Sequence, residues 1–136
     1  MGARPTHIVD ACALIAYFKG DRGHEKFASL LMDENNSLAI HCVNLCEIYY
    51  SYLRTDGIKA ASTAWEKAAD VLGVVEIVNE QFMKRVGHWK VEHKLCFGDA
   101  FAAATAQENA CALVTTDHGH FDPIEAKGVL SIVWLR

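Results

Sequence analysis

Residues 6–18 read THIVDACALIAYF. The apolar run ending at Val9 is too short for a helix, Asp10 interrupts it, and a helical stretch from Ala13 to Lys19 follows and stops at Gly20. A short β-like run passing through an acid into a helix is the pattern of a strand-to-helix unit in a parallel sheet. Similar switches follow along the chain. Ser37 to His41 is strand-like and leads into a helix from Val43 to Arg54, with Leu45, Ile48, Tyr49, Tyr52 and Leu53 on one stripe. The strand VVEIV, residues 74–78, precedes a helix capped by Asn79 that runs to about Lys94, with Phe82, Val86, Trp89 and His93 inward. Helices are also predicted over His24–Glu34, over Lys59–Leu72 with a Trp65, Ala68, Ala69, Leu72 stripe, and over Asp99–Gln107. Strands are predicted at 112–116 and near Ser131–Leu135. The fold class is therefore α/β, with a central, mainly parallel sheet flanked by helices on both faces.

The 136 residues, 51% of them hydrophobic and 22% charged, suit one compact domain over 1–136. No apolar run approaches the roughly 18 residues of a spanning helix. The opening MGARPTHIVD lacks a signal-peptide core, and its Met1-Gly2 start with Thr6 is a weak myristoylation match, so a cytoplasmic protein without membrane attachment is expected. The five cysteines are odd in number, form no CxxC pair, and sit mostly among Ala, Val and Leu, which predicts reduced, buried, structural thiols rather than disulfides or a zinc finger. A net charge of −4 and a pI near 5.9 exclude a protein that coats nucleic acid non-specifically, but not a nuclease with a local basic strip.

Four acids stand where such a chain turns back to one edge of its sheet: Asp10, Glu47 in HCVNLCEIYYSYL (41–53), Asp99 in LCFGDAFAAATA (95–106) and Asp117 in ALVTTDHGHF (112–121). Ligands of open α/β sheets bind outside the carboxyl ends of the strands, so topology alone sends all four there. Carboxylates in such apolar surroundings repel one another and resist desolvation, and a divalent cation is the simplest compensation. Hard cations take oxygen ligands, which makes a metal-dependent hydrolase the leading reading. Asn44, three residues before Glu47, adds a polar stripe to that helix. His118, Gly119 and His120 read as a loop with exposed imidazoles, since no third ligand stands at a zinc spacing; His118 is a candidate phosphate contact.

VDACALIAYF, NLCEIYY, FGDAFAAATA and LVTTDHGHF followed by DPI, in that order from about Thr6 to Ile124, resemble the PIN-domain ribonucleases, and more narrowly the VapC-like toxins of type II toxin-antitoxin modules. The resemblance implies a single PIN-like domain in which Asp10, Glu47, Asp99 and Asp117 bind Mg²⁺ or Mn²⁺ and serve the cleavage of RNA. Asp10 and Asp99 are then the direct ligands, with Asp117 and Glu47 completing the shell. It also implies an antitoxin partner and a homodimer, seated on part of the apolar surface near Tyr49, Tyr50, Tyr52 and Trp65. One departure stands out: Cys12 occupies a position where the family usually has Ser or Thr, and a thiol is the weaker hydrogen-bonding group. The alternative reading is a catalytically weakened PIN domain that acts by binding RNA or a partner protein. A phosphatase with Asp10 as nucleophile is disfavoured, because it would want a second Asp where Cys12 stands.

The stretch KRVGHWKVEHK, residues 84–94, sets Lys84, Arg85, Lys90 and Lys94 against Glu92 alone. It is a candidate RNA-facing strip that would supply the phosphate attraction the overall charge lacks.

Overall fold

The computed structural model describes residues 4–136, so the Met1-Gly2 start weighed for acylation lies outside the described residues. The chain runs β1 (His7–Val9), α1 (Ala11–Phe18), α2 (His24–Met32), β2 (Leu38–His41), α3 (Cys42–Asp56), α4 (Ile58–Val71), β3 (Gly73–Val75), α5 (Glu80–His93), α6 (Phe97–Glu108), β4 (Ala112–Thr115), α7 (His118–Ala126) and β5 (Ile132–Trp134). All strand pairs are parallel and the sheet order is β3-β2-β1-β4-β5. The chain builds outward from β1 in one direction and then crosses to its other side. The point of reversal therefore lies between β1 and β4, and a crevice opens beyond their carboxyl ends.

Strand alternation sorts the core into two layers. Ile8, Ala39 and Leu113 face one layer with Phe82, Val86 and Trp89 of α5, Phe101 of α6 and Phe121 and Ile124 of α7. Val9, Leu38, Ile40 and Val114 face the other with Leu14, Phe27, Leu45, Ile48, Ala64 and Ala68 from the first four helices. Each fully buried large side chain contributes about 1.5–3 kcal/mol. In α6 every residue from Gly98 to Ala106 is buried, and its alanines let the helix lie close against the sheet. By the same alternation Asp10, after Val9, and Thr115, after Val114, belong to the face that α6 covers.

His41 is buried at the end of β2 and stacks between Phe82 and Phe101. Its Nδ1 accepts from the Val43 N–H at 3.0 Å, capping α3, and its Nε2 donates to the Ile77 carbonyl at 2.8 Å. One ring nitrogen accepting and the other donating fixes the neutral tautomer. Burial accordingly lowers its pKa.

Several expectations are corrected. α7 is a helix where a loop was expected, because Asp117 caps it through the His120 N–H at 3.1 Å. β3 covers only Gly73–Val75 of a strand predicted to Val78, since it is an edge strand whose outer residues face solvent. Trp65, Ala69 and Leu53 are exposed, and α4 presents the smaller stripe Ala61, Ala64 and Ala68, over which α3 packs closely. The cysteines are not buried: Cys12, Cys46 and Cys96 are exposed, Cys42 and Cys111 are half-buried, and all five are free. Among the described residues, no helix is long and apolar enough to cross a membrane.

Candidate active site

Asp10 is the N-cap of α1 and is 1% exposed. Its Oδ1 accepts from the Ala13 N–H at 2.8 Å, and its Oδ2 accepts from the Thr115 hydroxyl at 2.5 Å, across the seam between β1 and β4. Thr115 Oγ1 in turn accepts from the Asp117 N–H at 3.0 Å, so one hydroxyl ties the ends of both central strands to two of the acids. Burial, reinforced by Asp99 and Asp117, pushes the Asp10 carboxyl up to about 7 against the pull of its two hydrogen bonds.

Asp99 lies in the first turn of α6 and is 7% exposed. Its pKa is raised chiefly by burial, with Asp117 adding and the Cys96 thiol and His120 opposing. His120, in the first turn of α7, points Nδ1 at Asp99 Oδ2 (2.6 Å) and Asp117 Oδ2 (2.8 Å). Burial alone would lower its pKa, but the two carboxylates outweigh it and raise it. The imidazole thus holds a proton between two acids.

Glu47 reaches the same place from α3. Asn44 donates through Nδ2 to Glu47 Oε1 at 2.7 Å and to the Gly98 carbonyl at 2.9 Å, joining α3 to the start of α6. A Cβ on Gly98 would collide with the Glu47 carboxylate, so glycine here makes room for the acid. Burial and then the Asp99 charge raise the Glu47 pKa, against the Asn44 hydrogen bond. Asn44 is fully buried, and its Oδ1 is the only buried side-chain polar atom among the described residues without a partner. Cys12 stands at the mouth: the surrounding protein, then Asp10, Asp99, Asp117 and Glu47, push its thiol up to about 12.

The other sequence candidates are placed differently. His118 stacks on Trp134 with ring centres 3.8 Å apart, Nδ1 lies 2.8 Å from Asp122 Oδ1, and Nε2 lies 2.7 Å from the Arg136 carbonyl. The Arg136 carbonyl and Asp122 raise its pKa, and none of its partners is one of the four acids. Lys84 pairs with Glu80 at 3.3 Å, Arg85 with Glu108 at 2.5 Å, and Lys90 donates to the Leu95 carbonyl at 3.1 Å. Glu108 ends α6, about 13 Å along the helix from Asp99, so Arg85 belongs to the far end. Lys94 is different: it ends α5 at φ 55° and lines a groove with His93, Gly119, His120 and Lys127. His120, expected as an exposed loop imidazole, instead bridges Asp99 and Asp117. Thr115, Gly98, Cys96 and Lys127 are additions from the fold; a polar residue closing an otherwise apolar strand is the sequence signal for Thr115, and the others carry none without the fold.

The model for the PIN domain matches residues 7–126, and the chain belongs to that family. Among solved structures, the chain is similar to VapBC-1 from nontypeable Haemophilus influenzae, with 18% identity, TM-score 0.72, and 95% of this chain and 97% of that one covered. It is similar to VapBC from Salmonella typhimurium bound to DNA, with 15% identity, TM-score 0.74, and 97% and 99% covered. It is also similar to Mycobacterium tuberculosis VapC20, described as a sarcin-ricin loop cleaving toxin, with 20% identity, TM-score 0.68, and 86% and 94% covered. No curated protein matches the chain.

Proposed function

We propose that this PIN domain is a metal-dependent endoribonuclease, the toxin of a type II toxin-antitoxin pair, using Mg²⁺ or Mn²⁺ in the cytoplasm. The observation that carries this reading is the gathering of Asp10, Glu47, Asp99 and Asp117 beyond the β1/β4 seam, with burial raising the pKa of Asp10, Glu47 and Asp99. Such a set is suited to a hard divalent cation: its donors are carboxylate oxygens, they repel one another, and burial disfavours their charge. The four acids would hold the ion. When bound, a divalent cation polarises a phosphodiester and lowers the pKa of water.

The chain's own residues prepare that chemistry. Thr115 and the Ala13 N–H fix both oxygens of Asp10. Asn44 fixes Glu47, and Gly98 leaves the space it needs. His120 keeps a proton at Nδ1 between Asp99 and Asp117 and must give up that contact when a cation takes the acids. Lys94 and Lys127 line the groove that His120 borders and, against Glu92 on the same wall, offer positive charge to the phosphates of a strand entering it. We assign the exposed apolar side chains Tyr50, Leu53, Ile58 and Trp65, on α3 and α4, to protein partners, the antitoxin and a second copy of the chain.

The purified chain is expected to cleave RNA with Mg²⁺ or Mn²⁺ and to stop in EDTA. Asp10→Asn and Asp99→Asn should each abolish cleavage with an unchanged far-ultraviolet dichroism spectrum. Retained cleavage in both variants would sink the reading. RNA bound but never cut, by a chain that folds and takes up metal, would favour a weakened PIN domain instead.

A further inference from the structure

Cys96, Asp99 and His120 each offer a ligand atom, and the three atoms lie within 4.8 Å of one another. Cys96 is the N-cap residue of α6, Asp99 sits in the next turn, and His120 arrives from the first turn of α7. Two of the three are already linked, because His120 Nδ1 lies 2.6 Å from Asp99 Oδ2. One sulfur, one nitrogen and one oxygen are a different donor set from the all-carboxylate cluster beside it. Magnesium favours oxygen ligands, whereas thiolate and imidazole select zinc and its neighbours.

We propose that Cys96, Asp99 and His120 form a binding site for a borderline divalent cation, zinc above all. Zinc bonds of about 2.0–2.3 Å to N, O and S place tetrahedral ligands roughly 3.3–3.6 Å apart, so the present separations need only small side-chain movements. Three protein ligands leave one position open, the arrangement of an exchangeable rather than a closed structural site. Cys96 is exposed, which gives an ion access. Zinc takes the thiolate, so uptake releases the Cys96 thiol proton and affinity rises with pH. Asp99 is common to this site and to the acidic cluster, so zinc bound here competes for one of the donors magnesium would use. That consequence rests on the function proposed above; the site itself does not.

Cobalt(II) is the probe, added to the full chain under reducing conditions. Thiolate ligation gives a near-ultraviolet charge-transfer band, expected in the wild type and in Cys12→Ser but absent in Cys96→Ser. Competition with a chromophoric chelator should show zinc affinity falling at least about tenfold in Cys96→Ser and in His120→Gln. Dichroism confirms that the variants fold. A wild type without the band, a band that survives Cys96→Ser, or unchanged zinc affinity in both variants overturns the proposal. None of these readouts requires RNA cleavage, so a chain that binds cobalt through Cys96 but cuts no RNA refutes only the nuclease reading.

Discussion

Replacing Asp10 with asparagine should stabilise the metal-free protein, by an amount set by pH. The Asp10 carboxyl, 1% exposed, holds its proton up to about 7 instead of the ordinary 3.8. Between those values the unfolded chain releases this proton while the folded chain keeps it. The folded state then binds more protons, and stability falls as pH rises through that window. The contribution is fully present below the unfolded value and fully lost above the folded one, a loss on the order of 4 kcal/mol at about pH 8. Asparagine keeps the oxygen that caps α1 and carries no charge, but the Thr115 hydroxyl must find another acceptor at a cost of about 1 kcal/mol. The net gain of about 3 kcal/mol corresponds, for 136 residues, to a rise in Tm of roughly 10 °C. Melts followed by dichroism in EDTA test this, with a large gap expected at about pH 8 and almost none at about pH 4. Saturating Mn²⁺ should narrow the gap at high pH by stabilising the wild type, by about 2.7 kcal/mol at a hundred times its Kd. Equal melting temperatures at high pH, or a gap that ignores pH, refute the reasoning.

Two further outcomes are expected. Gly98→Ala pushes the Glu47 carboxylate aside while improving α6 by about 0.5–1 kcal/mol in helix preference, so Tm should hold steady while cleavage falls at least about tenfold; wild-type cleavage would show that Glu47 need not stay where it is. Cys12→Ser restores a hydroxyl beside the four acids, and a rise in cleavage of about tenfold or more, equal to about 1.4 kcal/mol of barrier, would identify Cys12 as the weak point of the site.

The order of elements and the placement of the acids were legible because they depend on local pattern. Parallel strands buried on both faces read as short apolar runs; Asp10 and Asp117 follow such runs, whereas Glu47 lies within α3 and Asp99 in the first turn of α6. What failed depended on partners distant in the chain. α7 was hidden by turn-prone residues, His118, Gly119 and Asp122-Pro123, and forms because Asp117 caps it and Phe121 and Ile124 bury against α6 and the sheet. The strip does not form one face: Arg85 finds Glu108 across a helix pair, while Lys94 lines the groove that His120 borders. Cys96 and His120 are 24 positions apart, beyond any ligand spacing a motif records, and meet only because α6 and α7 both begin at the same crevice. Apolar neighbours in sequence implied buried cysteines, but Cys12, Cys46 and Cys96 fall on the outward sides of their helices or at a helix start.

Asp10 and Asp117 each begin a helix with a side-chain oxygen while belonging to the acidic cluster. Mutation can therefore separate the two duties only through a residue that still starts a helix, asparagine best among those one base away and glycine at a small cost. Alanine removes cap and charge together and endangers the fold, whereas asparagine, reached from either aspartate codon by a single-base change, keeps the helix start and discards the charge. Under selection for survivors of an active copy, intact but silent descendants should accumulate asparagine at these two codons, while losses elsewhere in the cluster should spread over many substitutions.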